Sequence, residues 1–328
     1  MMDWTDRHCR VFHRQLTRHA MLYTEMVTAE AILYGDRGRL LGFDDVEHPV
    51  ALQLGGADSR KLADAARIGE DFGYDEINLN VGCPSDRVKG GNFGACLMAD
   101  PARVARAVEA MRSAVDLRVT VKCRIGIDDQ DSETDFANFI DTVASAGCDL
   151  FIVHARKAWL QGLSPKQNRE VPPLDYDRVY RLKAARPDLT IIINGGIATL
   201  DQGLEHLELV DGVMLGRTAY QTPWLLSSVD ATFFNDESAP PKRDSVLTAM
   251  AQYADAHVAG GGRLNNVARH MLGLFHGEAG GRLFRRHISE RVGIKEKATG
   301  DVLREAGRIV AETQEVLLSR REKLAFAG

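Results

Sequence analysis

The sequence predicts an α/β fold, a (β/α)8 barrel followed by a small domain made only of helices. Three observations carry the prediction. Short apolar strands alternate with helical segments up to residue 235, almost every strand ends in a glycine or a polar residue, and helical patterns alone follow residue 243. Strands separated by helices of about 10–15 residues indicate βαβ units and a parallel sheet.

Seven strands can be identified, one fewer than a complete (β/α)8 barrel needs. They are predicted at 22–27, 50–54, 76–81, 119–124, 150–154, 190–194 and 212–215. The helical segments between them are predicted at 59–72, 101–114, 135–146 and 174–186. A doubly wound sheet of seven strands is the competing architecture. It is disfavoured because no dinucleotide-binding glycine fingerprint follows the first strand.

The C-terminal part is predicted to be a separate helical domain. A stretch rich in Pro, Asp and Ser at 235–244 has the composition of a linker. Helical patterns follow at 246–257, 264–275, 281–291 and 301–324. We therefore expect a barrel domain at 1–235 and a helical domain at 243–328.

Composition excludes several classes of protein. Of the 328 residues, 45% are hydrophobic and 27% charged, as in an ordinary globular protein. The sequence has no apolar run long enough to span a membrane and no signal-peptide pattern, so we expect a cytoplasmic protein without a membrane partner. The five cysteines form no C-x-x-C pair, which argues against a zinc ribbon, and no metal is expected. A monomer is expected.

The charge distribution is asymmetric. Residues 241–328 carry 15 Lys+Arg against 10 Asp+Glu, a net charge of +5, whereas residues 1–240 carry a net charge of −10. Basic residues are concentrated between Arg263 and Lys297, a window that includes Lys295. This pattern is typical of a nucleic-acid contact surface, although a solvated helical face would also produce it.

The segment 77–98 carries the most distinctive chemistry. An alternating apolar strand ends at Asn80 and is followed by Gly82-Cys83-Pro84 and then by a basic, glycine-rich loop. That loop contains Arg87, Lys89, Gly90, Gly91 and Gly94. A thiol between glycine and proline at a strand end is expected at the mouth of the barrel, where active groups of this fold lie.

Other strand ends add candidate binding groups. Asn194-Gly195-Gly196 and Gly216-Arg217 end the last two strands and predict a phosphate site, because glycine lets backbone N–H groups approach an anion and arginine binds phosphate with two parallel hydrogen bonds. Tight turns alone are the alternative explanation of each glycine pair. Gln53, Lys122 and His154 also stand at strand ends, where His154 could be a structural residue or a catalyst.

Six motifs in order resemble the tRNA-dihydrouridine synthases, specifically the A-type. They are NLNVGCPSDRV with GACLM, VKCRIGIDDQDS, HARKAWLQGLSPKQNR, PPLDY, INGGI and GVMLGR, and the resemblance runs from Met1 to about Arg291. It implies an FMN-containing (β/α)8 barrel with a helical tRNA-binding domain. The implied enzyme is NADPH-dependent and reduces the C5–C6 double bond of uridine to 5,6-dihydrouridine in the tRNA D-loop, at positions 20 and 20a.

The resemblance also implies roles for individual residues. The implied cofactor-binding residues are Met1, Gln53, Lys122, His154, Asn194, Gly195, Gly196, Gly216 and Arg217. Hydride would pass from reduced FMN to C6, and Cys83 would donate the proton to C5, a role that requires the thiol, the form that an unperturbed cysteine has at neutral pH. The implied RNA-binding residues are Asn80, Arg156, Lys157, Lys166, Arg169, Arg282, Arg285 and Arg286.

The chain departs from the family at its N-terminus. Family members carry a strand just before the MDWTD segment, whereas this chain begins at Met1-Met2-Asp3-Trp4. We therefore expect a barrel without its first strand, in which two neighbouring strands have unpaired edges and the flavin has less support.

Two other functions remain open on the sequence. One is a flavin barrel that reduces a small molecule, of the dihydroorotate or ene-reductase kind, for which the basic C-terminal domain would have no use. The other is an RNA-binding protein whose catalysis is impaired by the missing strand.

Overall fold

The computed structural model describes residues 1–85, 91–293 and 298–325. Arg87, Lys89 and Gly90 of the predicted glycine-rich loop, together with Lys295, therefore lie outside the described residues. In the part of the chain that is described, no helix is both long enough and apolar enough to cross a membrane.

Over the described ranges, the structure contains eight parallel strands at seven positions in the sheet. They are β1 (Leu22–Tyr23), β2 (Val27–Thr28), β3 (Val50–Gly55), β4 (Glu76–Asn80), β5 (Arg118–Arg124), β6 (Leu150–His154), β7 (Thr190–Asn194) and β8 (Gly212–Met214). The strands pair in the order β1-β3-β4-β5-β6-β7-β8, and β2 continues β1 along the same edge of β3. The order has β1 and β8 at its two ends, and within the described residues these two do not pair.

Helices follow the strands, as expected for βα units. The helices are α1 (Arg7–Arg14), α2 (Ala29–Tyr34), α3 (Arg37–Leu41), α4 (Ser59–Asp71), α5 (Pro101–Arg112), α6 (Glu133–Ser145), α7 (Tyr176–Ala185), α8 (Leu200–Leu207), α9 (Arg217–Gln221), α10 (Val229–Phe234), α11 (Arg243–Ala259), α12 (Leu264–Ala268), α13 (Gly281–Val292) and α14 (Asp301–Ala325). The predicted (β/α)8-type fold with a helical C-terminal region is confirmed. The predicted helix 264–275 is shorter than expected, since α12 ends at Ala268.

The barrel helices begin where side chains can cap them. Asp58 accepts hydrogen bonds from the backbone N–H groups of the first turn of α4, and Asp100 does the same for α5. Ser132 and Asp135 form a reciprocal capping box at the start of α6. Such caps satisfy N–H groups that have no partner within the helix, so each of these helices begins at a defined residue.

The chain forms two compact units. The first comprises Met1–Arg7 and Met21–Gly216, and the second comprises His8–Ala20 and Arg217–Gly328. In the first unit, the core lies between the sheet and its helices and includes the fully buried Leu52, Ile77 and Leu62.

The second unit ties a short N-terminal segment to C-terminal helices. Thr17 Oγ1 donates to Asp230 Oδ1 at 2.5 Å, and the backbone N of Arg18 donates to Asp230 Oδ2 at 2.7 Å. Asp230 is buried, so its carboxylate is held by these donors. The predicted domains at 1–235 and 243–328 stay a prediction.

Candidate functional site

One face of the sheet is polar near the carboxyl ends of its strands. Leu52 and Ile77 face α4, since a Cβ on Gly69 would lie 2.6 Å from Leu52 Cδ2 and 3.0 Å from Ile77 Cδ1. Because side chains alternate along a strand, Gln53 and Asn78 point to the opposite, interior face. Strand register places further residues on that face: Glu76, Asn80, Thr120, Lys122, Arg124, His154 and Asn194.

A chain of side-chain hydrogen bonds crosses three strands on this interior face. Asn80 Nδ2 donates to Gln53 Oε1 at 2.7 Å, and Gln53 Nε2 donates to Asn78 Oδ1 at 2.9 Å. Asn78 Nδ2 donates to Thr120 Oγ1 at 2.8 Å, and the Thr120 hydroxyl donates to Glu76 Oε1 at 2.8 Å. All five residues are buried, so the network holds the two predicted site residues Gln53 and Asn80 in fixed orientations.

Replacing Thr120 with valine should destabilise the protein by about 2 kcal/mol, because the change leaves Asn78 Nδ2 without its buried acceptor and removes one of the two hydroxyl donors to Glu76 Oε1, the other being Tyr23. Urea unfolding of the variant and the wild type measures the difference. Thr190→Val is the matched control, since Thr190 is half-buried and accepts only a 3.4 Å bond from Arg118. Equal losses in the two variants would contradict a role for the network.

The turn that carries Cys83 is held from two sides. Asn80 Oδ1 accepts hydrogen bonds from the backbone N of Gly82 at 3.1 Å and from that of Cys83 at 3.0 Å. Arg124 Nε donates to the Gly82 carbonyl at 2.8 Å. The Cys83 side chain is half-buried, and its Sγ lies 3.5 Å from Ser85 Oγ. The thiol therefore sits on a fixed backbone at the end of β4, where solvent can reach it.

Lys122 projects from β5 next to Asn80, its register partner on β4. Its Nζ donates to Asn194 Oδ1 at 3.0 Å, and Asn194 Nδ2 donates to the Met214 carbonyl at 2.7 Å. Burial, and secondly the positive charge of Arg124, lowers the pKa of Lys122 to about 8, while Cys83 acts in the opposite direction. A buried amine with one neutral partner can bind a further acceptor, and a negative charge there would restore its proton.

His154 lies between Arg124 and Asn194 in the strand register. Burial, followed by the charges of Arg124 and Lys122, lowers the pKa of His154 well below its usual range, so the imidazole is neutral at neutral pH. Among the described residues its ring makes no hydrogen bond. A neutral, half-buried ring with free nitrogens is suited to bind a polar ligand at the mouth.

Arg124 is a site residue that the sequence analysis did not single out. Besides Gly82, it donates from Nη1 to the carbonyls of Lys157 at 3.1 Å and Asn168 at 3.0 Å. Burial lowers the pKa of Arg124 to about 10, which leaves it charged at neutral pH. It thus joins the Cys83 turn to the loop after β6. The sequence could have indicated Arg124, because it lies two residues after Lys122 on the same strand and therefore on the same face of the sheet.

Different structural constraints apply to the glycines of the predicted phosphate site. Gly195 and Gly196 have φ angles of 120° and 73°, a region that favours glycine. A Cβ on Gly195 would lie 2.7 Å from His154 Cδ2, so packing also requires its absence. A Cβ on Gly216, in contrast, would lie 4.0 Å from Met1 Sδ and meet no closer described atom. The open space beside Gly216 could admit a ligand close to the backbone. Arg217, the next residue, begins α9 in the second unit.

The long loop after β6 is anchored by a buried asparagine. Asn168 is fully buried, its Oδ1 accepts from the Trp159 backbone N at 2.8 Å, and its Nδ2 donates to the Trp159 carbonyl at 2.9 Å. Lys157 Nζ donates to Asp131 Oδ2 at 2.7 Å. Arg156 Nη1 donates to the Pro172 carbonyl. Two of the predicted RNA-binding cations are therefore bound within the chain.

The remaining predicted RNA-binding cations are at the surface. Lys166 and Arg169 are exposed in the loop after β6, and within the described residues neither forms an ion pair. Arg282, Arg285 and Arg286 lie on α13, where spacings of three and four place side chains on one face of a helix. Arg286 Nε is 3.5 Å from Glu290 Oε1, a weak exposed pair.

Comparison with known sequences identifies relatives along most of the chain. The model of the family described as Dihydrouridine synthase (Dus) matches residues 1–310. A protein named tRNA-dihydrouridine(20/20a) synthase from Xanthomonas axonopodis pv. citri is 57% identical over 290 residues, which cover 88% of this chain and 86% of the relative. The protein of the same name from Salmonella typhimurium is 54% identical over 315 residues, 95% of this chain and 94% of the relative.

A solved structure supports the fold alone. The complex of 2-naphthoyl-CoA reductase with 2-naphthoyl-CoA matches 68% of this chain and 46% of that chain, with a TM-score of 0.50 and 11% identity. At this identity the likeness concerns the arrangement of strands and helices and says nothing about substrate.

Proposed function

The chain belongs to the dihydrouridine synthase family, and from that premise we propose that it reduces the C5–C6 double bond of uridine in the tRNA D-loop, at positions 20 and 20a. The observation that carries the proposal is the match of the family model to residues 1–310, together with relatives above 50% identity that bear this activity in their names. A thiol at the end of β4, beside a layer of amide and cationic side chains, agrees with such a reaction.

The interior face fits a flavin. FMN, when bound, supplies the hydride that the uracil C6 accepts. Lys122 Nζ and the His154 ring are recessed polar groups with unused hydrogen-bonding capacity among the described residues, and Gln53 adds a buried amide from β3 on the same face. Space beside Gly216 suits a phosphate, with Met1 adjoining it. We propose that these residues, with Asn194, Gly195, Gly196 and Arg217, hold the cofactor.

Cys83 supplies the proton in the proposed reaction. Its S–H bond breaks as the C5–H bond of the uracil forms, and the resulting thiolate takes a proton from water, which reaches the half-buried side chain. A general acid has to lie within hydrogen-bond reach of the atom it protonates. Asn80 and Arg124 fix the backbone on either side of Sγ, so both are positioning residues for this step.

Asn80 is also proposed to contact uracil, but its oxygen is already used. Oδ1 accepts two backbone N–H groups, and one proton of Nδ2 is given to Gln53. The second Nδ2 proton is the one that could bind an acceptor of the base. This geometry restricts Asn80 to recognising a uracil carbonyl oxygen.

Turnover needs two electrons for each uridine, and NADPH is the proposed reductant. The support is the family resemblance. We propose that Lys166 and Arg169 on the barrel, and Arg282, Arg285 and Arg286 on α13, contact RNA phosphates, because they are cations of which none is buried. RNA contacts by Arg156 and Lys157 would require these residues to exchange their present partners.

Deleting the gene should remove dihydrouridine from positions 20 and 20a of cellular tRNA. Mass analysis of D-loop fragments from the deletion strain should show uridines lighter by the mass of two hydrogen atoms, and expression of the wild-type chain should restore the mass. Expression of Cys83→Ala is the control that should not restore it. An unchanged D-loop in the deletion strain would show that the proposed substrate is wrong.

A further inference from the structure

A basic cavity lies between the amino-terminal ends of α4 and α5. It has a volume of about 420 Å³ and is lined by Ala57, Asp58, Ser59, Arg60, Arg103 and Arg106. Three arginines and one carboxylate line the cavity, so the charge balance of its wall is +2.

The positive charges of the three arginines are not neutralised by ion pairs within the described residues. Arg60 and Arg106 are exposed, and across the described residues none of the three forms an ion pair. Arg103 Nε donates to the Ala57 carbonyl at 3.0 Å, which fixes its guanidinium against the loop after β3. The Asp58 carboxylate is occupied by the backbone N–H groups of Arg60 and Lys61, at 3.0 and 3.1 Å. The cavity is therefore built to attract an anion.

The cavity belongs to the rim that surrounds the site mouth. Ser59 begins α4 four residues after Gly55 ends β3, and α5 begins at Pro101 after the segment that carries Cys83. In a βα unit, the amino end of the helix lies on the side where the strand ends. Both walls of the cavity thus stand at the carboxyl ends of the strands, as Cys83 does.

We propose that this cavity binds a backbone phosphate of the tRNA whose uridine enters the mouth. Arginine forks match the oxygen atoms of a phosphate with two parallel hydrogen bonds, and such contacts set the position of a nucleic acid without reading its sequence. A base inside the barrel requires that its backbone lie on the rim, and Arg60, Arg103 and Arg106 are cations on that rim, on the β3 and β4 side. The inference rests on the proposed function.

The test is tRNA binding by the full-length holoenzyme across a range of salt concentrations. Arg60→Gln with Arg106→Gln removes two exposed charges from the cavity. The matched control is Arg67→Gln with Arg112→Gln, which makes the same charge change at exposed positions toward the carboxyl ends of the same two helices. We expect the cavity variant to bind tRNA about tenfold more weakly at low salt, and its plot of log affinity against log salt to be shallower by about 1.

A variant that is expected to bind tRNA more tightly tests the proposal in a way that misfolding cannot imitate, because misfolding would weaken binding. Asp58→Asn keeps a side chain that caps helices as well as aspartate does, and it removes the negative charge from the cavity. It should bind tRNA several-fold more tightly than wild type. Weaker binding by Asp58→Asn would overturn the proposal.

The outcomes separate this inference from the proposed function. If the wild type binds no tRNA, or binds it without salt dependence, the proposed function fails. If the wild type behaves as expected but the cavity variant keeps its slope, or loses no more affinity than the control, only the inference fails. A raised KM for NADPH in place of a raised KM for tRNA would assign the cavity to the nucleotide phosphate and overturn the proposal.

Discussion

Cys83→Ala should lose uridine reduction by a factor of about 100 to 10,000, the usual contribution of a positioned general acid. The reason is geometric. Asn80 and Arg124 hold the backbone of this turn through Gly82 and Cys83, so Sγ is presented from a fixed position. The measurement is a single-turnover assay, in which pre-reduced enzyme is mixed with tRNA that lacks dihydrouridine.

The control for this experiment is Cys96→Ala. Cys96 is also half-buried and lies on the same segment, but its Sγ donates to the Phe93 carbonyl at 2.9 Å, so it serves the local turn. This variant should react at close to the wild-type rate. If Cys83→Ala bound flavin and tRNA and still reduced uridine at the wild-type rate, Cys83 would not be the proton donor.

The alternation of polar and apolar residues along the strands could have identified the remaining residues of the site. In β4 and β5, the letters E-I-N-L-N and R-V-T-V-K-C-R alternate polar and apolar residues. Strand ends alone selected Asn80 and Lys122. The same alternation marks Asn78, Thr120 and Arg124, which the structure places on the same face. Position and periodicity together would have predicted most of the interior layer.

Other features had no local signal. Asn168 orders the loop after β6 through contacts with Trp159 and Arg124, the latter 44 residues away. Thr17 and Asp230 are 213 residues apart, so no pattern in either segment predicts that they meet. The helix predicted at 264–275 ends at Ala268, and in the turns that replace its second half a Cβ on Gly273 would lie 2.6 Å from Pro223 Cδ. Such contacts depend on tertiary packing, which a single sequence does not reveal.

The basic loop after β6 illustrates why composition alone overstates an RNA surface. Lys157 and Arg169 contribute equally to a count of charges. In the structure Lys157 is 4.2 Å from the Trp159 ring centre and is paired with Asp131, whereas Arg169 is exposed. A cation that already has a carboxylate gains less from a phosphate, because the first pair must be broken. The exposed cations are therefore the better candidates for phosphate contacts.

Lys122→Met should inactivate the enzyme while making the flavin-free protein more stable at neutral pH. Burial lowers the pKa of Lys122 from 10.5 to about 8, which means that the protonated amine is disfavoured in the folded chain. Between pH 8 and 10.5 the unfolded chain binds a proton that the folded chain does not, so stability rises with pH across this window. Below pH 8 the full cost of the buried charge is present. Methionine removes it, and the Tm of the variant should exceed that of wild type by a few degrees at pH 7.

Activity should change in the opposite direction. If Lys122 holds the cofactor as proposed, its charge would stabilise negative charge on that group, a contribution of preorganised electrostatics. The wild-type rate should fall as pH rises through about 8 and the amine loses its proton, with the midpoint displaced upward if a bound anion restores the proton. Lys122→Met should be slow at every pH and show no such midpoint.

Lys183→Met is the control for Lys122→Met. It shows which changes in Tm and in the pH profile follow from replacing any partly buried lysine with methionine. Lys183 Nζ pairs with Asp211 at 2.8 Å and donates to the Leu189 carbonyl, on α7 and away from the interior face. Its removal should lower the Tm and leave the pH profile of the reaction unchanged. A protein that gains stability as it loses activity cannot have lost activity by unfolding, so a raised Tm and a flat, slow pH profile in Lys122→Met would assign its charge to the reaction. A lowered Tm with an unchanged midpoint near pH 8 would instead make Lys122 a structural residue.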